Sequence, residues 1–281
     1  MDKKYLDRVS EAIRGDLGEK RKLDVQKRFD WILEQVSQNG GVNILDVGCS
    51  QGALEFELLK SLPQGGRIIG VDATGESIDY ANRMLEECPD KDRIEFRCMD
   101  FMLFPENEQY DTVIIAEVLE HLNEPEKFIE KSSKLLSEEG SLIITVPFAI
   151  NDFPDHKRTY YLALLYEQVT KYIPIVKYQI LGNWIGVVAS KAGNSFTINE
   201  EVLSDVEQGF FSIERELRDK LVDKNKRIKK LELDREKLKE KIQEKDTRID
   251  KLSSDREILR ERVKVRDKQI LELKRIIQEN S

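Results

Sequence analysis

Acidic residues and glycines recur at matching places in the first two-thirds of the chain. Asp46-Val47-Gly48-Cys49-Ser50-Gln51-Gly52 follows one apolar run, Asp72 a second, Asp100-Phe101 a third, and Glu117-Val118-Leu119-Glu120-His121 a fourth. Gly48 and Gly52 let the backbone turn tightly and approach a ligand closely. The helix that such a turn opens presents free N–H groups and a partial positive charge, suited to a carboxylate or phosphate. A carboxylate about 20–25 residues beyond the glycines, as Asp72 is, suits a bidentate hydrogen bond to ribose hydroxyls. Asp100 and Phe101 offer an acceptor beside a ring that could bracket an adenine. A glycine turn alone is often a packing device, and one acid at a strand end is usually a cap. Acids at three successive strand ends are harder to assign to chance. A nicotinamide site calls for G-x-G-x-x-G; here Ser50 holds the middle place and Ala53 the third, which disfavours an oxidoreductase.

The chain has only two histidines, His121 and His156, the side chains that titrate near neutrality unperturbed. His121 closes the loop after the fourth run. His156 lies in Asn151-Asp152-Phe153-Pro154-Asp155-His156-Lys157-Arg158, after the fifth. An acceptor hydroxyl needs a base for its proton, and His156 is the favoured candidate, with His121 the second. Their structural alternatives are a helix-start residue bonding to backbone (His121) and an exposed loop residue (His156). Arg158 could hold an anionic part of an acceptor in a bidentate grip or form an ordinary surface ion pair. Tyr160, Tyr161 and Trp184 could shape an acceptor pocket or belong to the core. Cys49, Cys88 and Cys98 are odd in number and widely spaced. Neither a disulfide framework nor a metal site is expected from them.

These residues need a scaffold. Strand-like runs fall at Val42–Val47, Arg67–Val71, Ile94–Cys98, Thr112–Ala116 and Ser141–Val146. Helical spacing appears at Asp24–Val36, Ala53–Leu62, Ser77–Cys88 and Pro125–Leu136. Strands alternating with helices imply parallel β-α-β units in an open sheet covered on both faces. After Pro147 a helix at Leu162–Tyr172 precedes two runs, Val176–Leu181 and Trp184–Ala189, split by Gly182-Asn183, which is a hairpin signal. The expected segments are a helical stretch over 1–40, an α/β domain over 41–193, a helical connector over 194–211 and a coiled coil over 212–281.

Composition bounds the rest. The 281 residues carry 46 Lys plus Arg against 54 Asp plus Glu, a net charge of −8. That acidity argues against a nucleic-acid binder held by phosphate contacts and against an anionic membrane surface. Leu142–Ile150, the longest apolar stretch, is far short of the ~20 residues of a membrane span. The charged start, MDKKYLDRVSEAIR, lacks the apolar core of a signal peptide. A cytoplasmic protein is expected. From Leu217 to Ile277 apolar residues alternate at four and three, with Leu231, Leu238, Leu252 and Leu259 in one set and Ile228, Ile242, Ile249 and Val263 in the other. Leu at d with β-branched residues at a favours a parallel two-stranded coil. Lys or Arg at every third seam position can set register and strand number, and a trimer is the other option. A solitary helix held by i,i+4 pairs would show less register discipline.

Ile44–Gly52 (ILDVGCSQG), Ile69–Asp72 (IGVD), Cys98–Phe101 (CMDF), Tyr110–Leu122 (YDTVIIAEVLEHL) and Gly140–Pro147 (GSLIITVP) together resemble the class I S-adenosylmethionine-dependent methyltransferases. The resemblance covers about Phe29 to Lys191, and Ser50 alone departs from the family's D-x-G-x-G-x-G. It implies a Rossmann-like, mostly parallel seven-stranded sheet ending in an antiparallel hairpin, followed here by the long coiled-coil helix. By the same resemblance, Asp46, Gly48, Cys49, Ser50, Gln51 and Gly52 cradle the methionine moiety of S-adenosylmethionine. Asp72 takes the ribose, with Ala73 among the cofactor residues. Asp100 and Phe101 take the adenine, and Glu117 lines the sulfonium. The stretch D-H-K-R-T-Y-Y resembles the H-x-R-x-[FY] found after the fifth strand in small-molecule and glycan-related members. The implied protein O-methylates a small-molecule or glycan intermediate and self-associates through its coil, as a methylating enzyme tied to bacterial polysaccharide assembly would. The alternative is a coiled-coil scaffold whose methyltransferase-like domain does not catalyse.

Overall fold

The structure, a computed structural model, describes residues 19–149, 155–194, 196 and 199–279. Residues 1–18 of the expected N-terminal segment, and residues 150–154 ahead of His156, lie outside the described residues. Seven strands form one sheet: β1 (Asn43–Val47), β2 (Arg67–Asp72), β3 (Ile94–Cys98), β4 (Tyr110–Ala116), β5 (Leu136–Pro147), β6 (Ile175–Leu181) and β7 (Trp184–Ser190). Their order across the sheet is β3-β2-β1-β4-β5-β7-β6. β1 to β5 run parallel, while β7 is antiparallel to both β5 and β6. The helices are α1 (Glu19–Gln38), α2 (Ala53–Leu59), α3 (Gly75–Glu86), α4 (Pro125–Leu135), α5 (Leu162–Thr170) and α6 (Glu200–Glu279).

The near-continuous apolar runs of the parallel strands divide by parity, because successive side chains point to opposite faces. Ile44, Ile68, Ile114 and Ile143 pack with Trp31, Ile32 and Val36 of α1, with α2 and with α3 on one face. Leu45, Ile69, Val113, Ile115, Leu142 and Ile144 pack with Ile129 of α4 and Leu165 of α5 on the other. Both faces are dry, so the sheet is rigid and its carboxyl edge is a fixed platform.

Two junctions matter for the site. Gly186 of β7 lies so close to α1 that an added Cβ would stand 2.5 Å from the Trp31 ring. This close approach sets α1 over the end of the sheet. Gly209 packs closely at the start of the long helix. An added Cβ there would stand 2.8 Å from Phe148 and 3.1 Å from Ile180, and Val202 and Ile213 of the same helix are buried in the core. The first compact unit accordingly runs to Arg215, and Glu216–Ser281 forms the second. No helix among the described residues is long and apolar enough to cross a membrane.

Candidate active site

The strand order reverses between β1 and β4, and ligands in open α/β sheets bind outside the carboxyl ends at that point. The loop after β1 is wound there by three left-handed residues, Gly48 (φ 83°), Ser50 (φ 51°) and Gly52 (φ 82°). Ser50 thus adopts the glycine-like conformation its place in the motif demands, at a cost of about 1–2 kcal/mol for an L-residue. The loop is pinned to β2. The N–H groups of Gly48 and Cys49 donate to Val71 O at 2.7 and 3.2 Å, and that of Ser50 donates to Asp72 Oδ2 at 3.0 Å. Asp72 Oδ1 accepts from the Thr74 N–H at 2.7 Å. An ionised carboxylate has about four acceptor positions, so Asp72 can order the loop and still receive a diol. Ala73 beside it is exposed. The helix that follows the loop, α2, is only seven residues long, so the loop and its carboxylates carry more of the site than a helix dipole does.

Beneath the loop, Asp46 and Glu55 are buried against each other. Burial raises both carboxyls; Asp46 raises Glu55 further, while the contact with Glu55 holds Asp46 back. Burial likewise pushes the Cys49 thiol up, so Cys49 is a packing residue of the loop and not a nucleophile.

At the end of β4, Glu117 is also left-handed (φ 58°), and its N–H donates to Thr145 O at 2.9 Å. Its Oε2 accepts from the Trp184 indole N–H at 2.6 Å and pairs with the Arg28 guanidinium at 3.1 Å. That guanidinium also lies over the Trp184 ring, 5.3 Å from its centroid. Arg28 was not visible as a site residue in the sequence. It stands on a charged helix with no motif, and only the docking of α1 through Trp31 brings it to the cluster. Burial raises the Glu117 carboxyl, with Arg28 and Trp184 opposing.

Asp100 and Phe101 part company. The Asp100 side chain is exposed and caps a short turn, accepting from the Met102 N–H at 2.8 Å. Phe101 is a core residue, 4% exposed, with its ring 5.2 Å from that of Phe128. Tyr160 is buried in the same core, while Tyr161 is exposed and meets Phe148 and Phe210 at its ring. Arg158 donates to the carbonyls of Leu122 and Asn123 at 3.2 and 2.9 Å. It ties the segment after β5 to the turn after β4.

That tie brings the two histidines together. Their rings meet edge to face with centroids 4.8 Å apart. The Lys157 N–H donates to Glu120 O at 2.8 Å, and His121 Nδ1 lies 3.3 Å from Asp155 O. Burial and the neighbouring His121 hold His156 below its ordinary range, against the pull of Asp155. Beside the pair lies Glu120, only 1% exposed, its carboxyl pushed up to about 8 by burial and by Glu117. The sequence marked Glu120 only as part of a loop, because a buried acid cannot be told from a solvated one by type and spacing.

A methyltransferase domain model matches residues 38–280. The chain belongs to the methyltransferase domain family. It is a class I, S-adenosylmethionine-dependent member with a Rossmann-like sheet. Among curated relatives, the chain is 30% identical over 124 residues to a ubiquinone biosynthesis O-methyltransferase of Actinobacillus pleuropneumoniae, covering 42% of this chain and 51% of that one. It is 36% identical over 109 residues to the mitochondrial ubiquinone biosynthesis O-methyltransferase of Rattus norvegicus, covering 37% and 30%. The chain thus spans about half or less of the length of these relatives. Among solved structures it is similar in fold to magnesium protoporphyrin IX methyltransferase of Synechocystis PCC 6803, solved with bound S-adenosylmethionine, at 19% identity and TM-score 0.54, covering 66% of this chain and 90% of that one.

The residues present fit that cofactor. Its amino-acid end needs acceptors for an ammonium and a donor for a carboxylate. Asp46 Oδ1 and Glu117 Oε1 are buried acceptors without a hydrogen-bond partner among the described residues, and Arg28 Nε is such a donor. The Asp72 carboxylate at the end of β2 would suit a ribose diol, and the glycines let the loop pack closely, since an added Cβ at Gly48 would run into Val118 and one at Gly52 into the Phe96 ring.

Proposed function

We propose that the protein transfers a methyl group from S-adenosylmethionine to an oxygen of a small-molecule or glycan intermediate, in the cytoplasm, as an assembly held by its C-terminal helix. The observation that carries this reading is the convergence of the 48–52 loop, Asp72 and Glu117 at one switch point, with both histidines on its acceptor side. The bound cofactor supplies an already activated methyl group. What is asked of the protein is therefore placement, which alone can supply a large part of a rate enhancement. On this reading Asp46 and Gly48 to Gly52 hold the methionine end with Arg28 beside them, Asp72 and Ala73 the ribose, and Asp100 with the rim around Phe101 the base. Oxygen as the acceptor atom is supported by the curated relatives, which are O-methyltransferases. A hydroxyl must lose a proton. His156, with His121 packed on it, is the group we assign to that task, while Arg158, Tyr160 and Tyr161 stand on the segment that borders the acceptor side.

The assembly rests on the heptad seam. Leu221, Leu231, Leu238, Leu252 and Leu259 are all more than half exposed on the single chain, and a seam of that length is covered by a second helix in a coiled coil. The test of the catalytic reading is to incubate the full chain with isotopically labelled S-adenosylmethionine and a small-molecule cell extract. We expect label in an acid-stable product that is one methylene heavier than its precursor. Cofactor binding with no labelled product would favour the scaffold reading instead.

A further inference from the structure

We propose that Glu120, His121 and His156 form a binding site for one divalent cation of the Mn2+, Fe2+ or Zn2+ class, whose open positions hold the acceptor oxygen. No metal is expected from the cysteines, and none of these three residues is a cysteine. The three side chains each offer one ligand atom, and those atoms all lie within 4.8 Å of one another. Three ligand atoms bound to one ion at about 2.1 Å stand about 3.0–3.6 Å apart, so closing the site asks the widest pair to contract by about 1–2 Å, within the reach of side-chain rotation. Two imidazoles and one carboxylate with room left over is the donor set of catalytic centres that keep positions open for a substrate.

Three features show a built site and not a chance cluster. First, Glu120 is 1% exposed and neither carboxylate oxygen has a hydrogen-bond partner among the described residues. The His121 ring stands beside it, with Nε2 3.8 Å from Oε1. A buried carboxylate without a partner is costly unless a cation or proton meets it. Second, His121 Nδ1 sits 3.3 Å from the Asp155 carbonyl. With the Nδ1 proton directed there, the Nε2 lone pair faces Glu120, which is how outer hydrogen bonds orient metal-ligating histidines. Third, the segment bearing His156 is clamped to the turn bearing Glu120 and His121 by backbone-directed bonds. These are Lys157 N–H to Glu120 O at 2.8 Å and Arg158 to the carbonyls of Leu122 and Asn123. The clamp holds donors from residues 120 and 156 at one place whether or not anything binds.

The local charge asks for a cation as well. Glu117 faces Glu120, and among the described residues Arg28 is the cation that opposes both. His121 and His156 are neither deeply buried nor fully exposed, so the open side of the site faces outward, where an acceptor enters. An acceptor oxygen held on the ion would release its proton to bulk water more readily, because a divalent cation lowers the pKa of a bound O–H. On this account both histidines act as ligands, and the part assigned to His156 in removing the acceptor's proton is exercised through the ion it holds. The purpose assigned to the ion rests on the methyl-transfer reading, whereas its binding does not.

The experiment uses untagged full-length protein, stripped with chelator and exchanged into chelator-free buffer. MnCl2 alone is titrated in and followed by loss of the free-Mn2+ electron paramagnetic resonance signal, and ZnCl2 is followed by calorimetry. We expect one equivalent per chain, Zn2+ displacing Mn2+, and affinity reduced tenfold or more in both E120Q and H156A. H156A removes a partly exposed loop residue, so it keeps the test available if the buried E120Q variant does not fold. D72N should lose affinity for S-adenosylmethionine and keep the ion. Absence of a stoichiometric site in the native chain, or unchanged affinity in folded H156A, would overturn the proposal, while cofactor binding in the same samples reports on the methyltransferase reading separately.

Discussion

Asp46 and Glu55 illustrate how single residues in this protein trade stability against use. Both carboxyls are buried and both are raised, by burial first. A native state that keeps a proton the unfolded chain releases loses stability as pH rises. The loss begins near the ordinary carboxylate pKa of about 4 and continues towards the raised value. Glu55→Gln replaces the raised carboxyl with an amide that does not titrate. Urea midpoints at pH 5.5 and 8 should therefore fall less in the variant than in the native chain. An equal fall in both would mean the pair carries no extra proton. At this scale the sequence was legible where chemistry is local. Asp46, Gly48, Gly52, Asp72 and Glu117 were singled out by their places after apolar runs, and the structure brings them to one edge. It was not legible where chemistry depends on burial or distant approach. Phe101 turns into the core, and Arg28 and Glu120 gain their surroundings only from residues far along the chain.

The elements were legible for a physical reason. The central strands β1, β2 and β4 are apolar on both faces and the edge strand β3 alternates, so their positions could be read within a residue or two. β5 is the exception at its start. It begins at Leu136, five residues before the expected Ser141, because Ser137-Glu138-Glu139-Gly140 is polar. Tyr110 nevertheless pairs with Leu136 ahead of a register shift. The start of α6 hid its packing in the same way, since Gly209 in a helix reads as a weak point. Gly209→Ala decides between the two views. Helix propensity alone would gain about 1 kcal/mol, while overpacking against the buried Phe148 costs about 1–3 kcal/mol. We expect a lower urea midpoint with an unchanged denaturant slope; a higher midpoint would mean Gly209 is only a helix weakness.

For the whole molecule, the proposed function assigns separate tasks to the two compact units. A chain ending at Arg215 keeps Val202 and Ile213 in the core and loses the seam that follows. Light scattering should report a monomer for that chain and an oligomer for the full one, and a monomeric full chain at micromolar concentration would contradict the coil. Nothing in the sequence could have placed the boundary at Arg215, because the heptads run on without a break while the packing stops. The central claim is that one carboxyl edge of the sheet holds S-adenosylmethionine, and calorimetry tests it most directly. Titrating the cofactor into the full chain should give one site per chain, weakened by about 1.5–3 kcal/mol in Asp72→Asn, the value of hydrogen bonds to a charged group. No saturable heat in the native chain, or the same affinity in the folded variant, would contradict it.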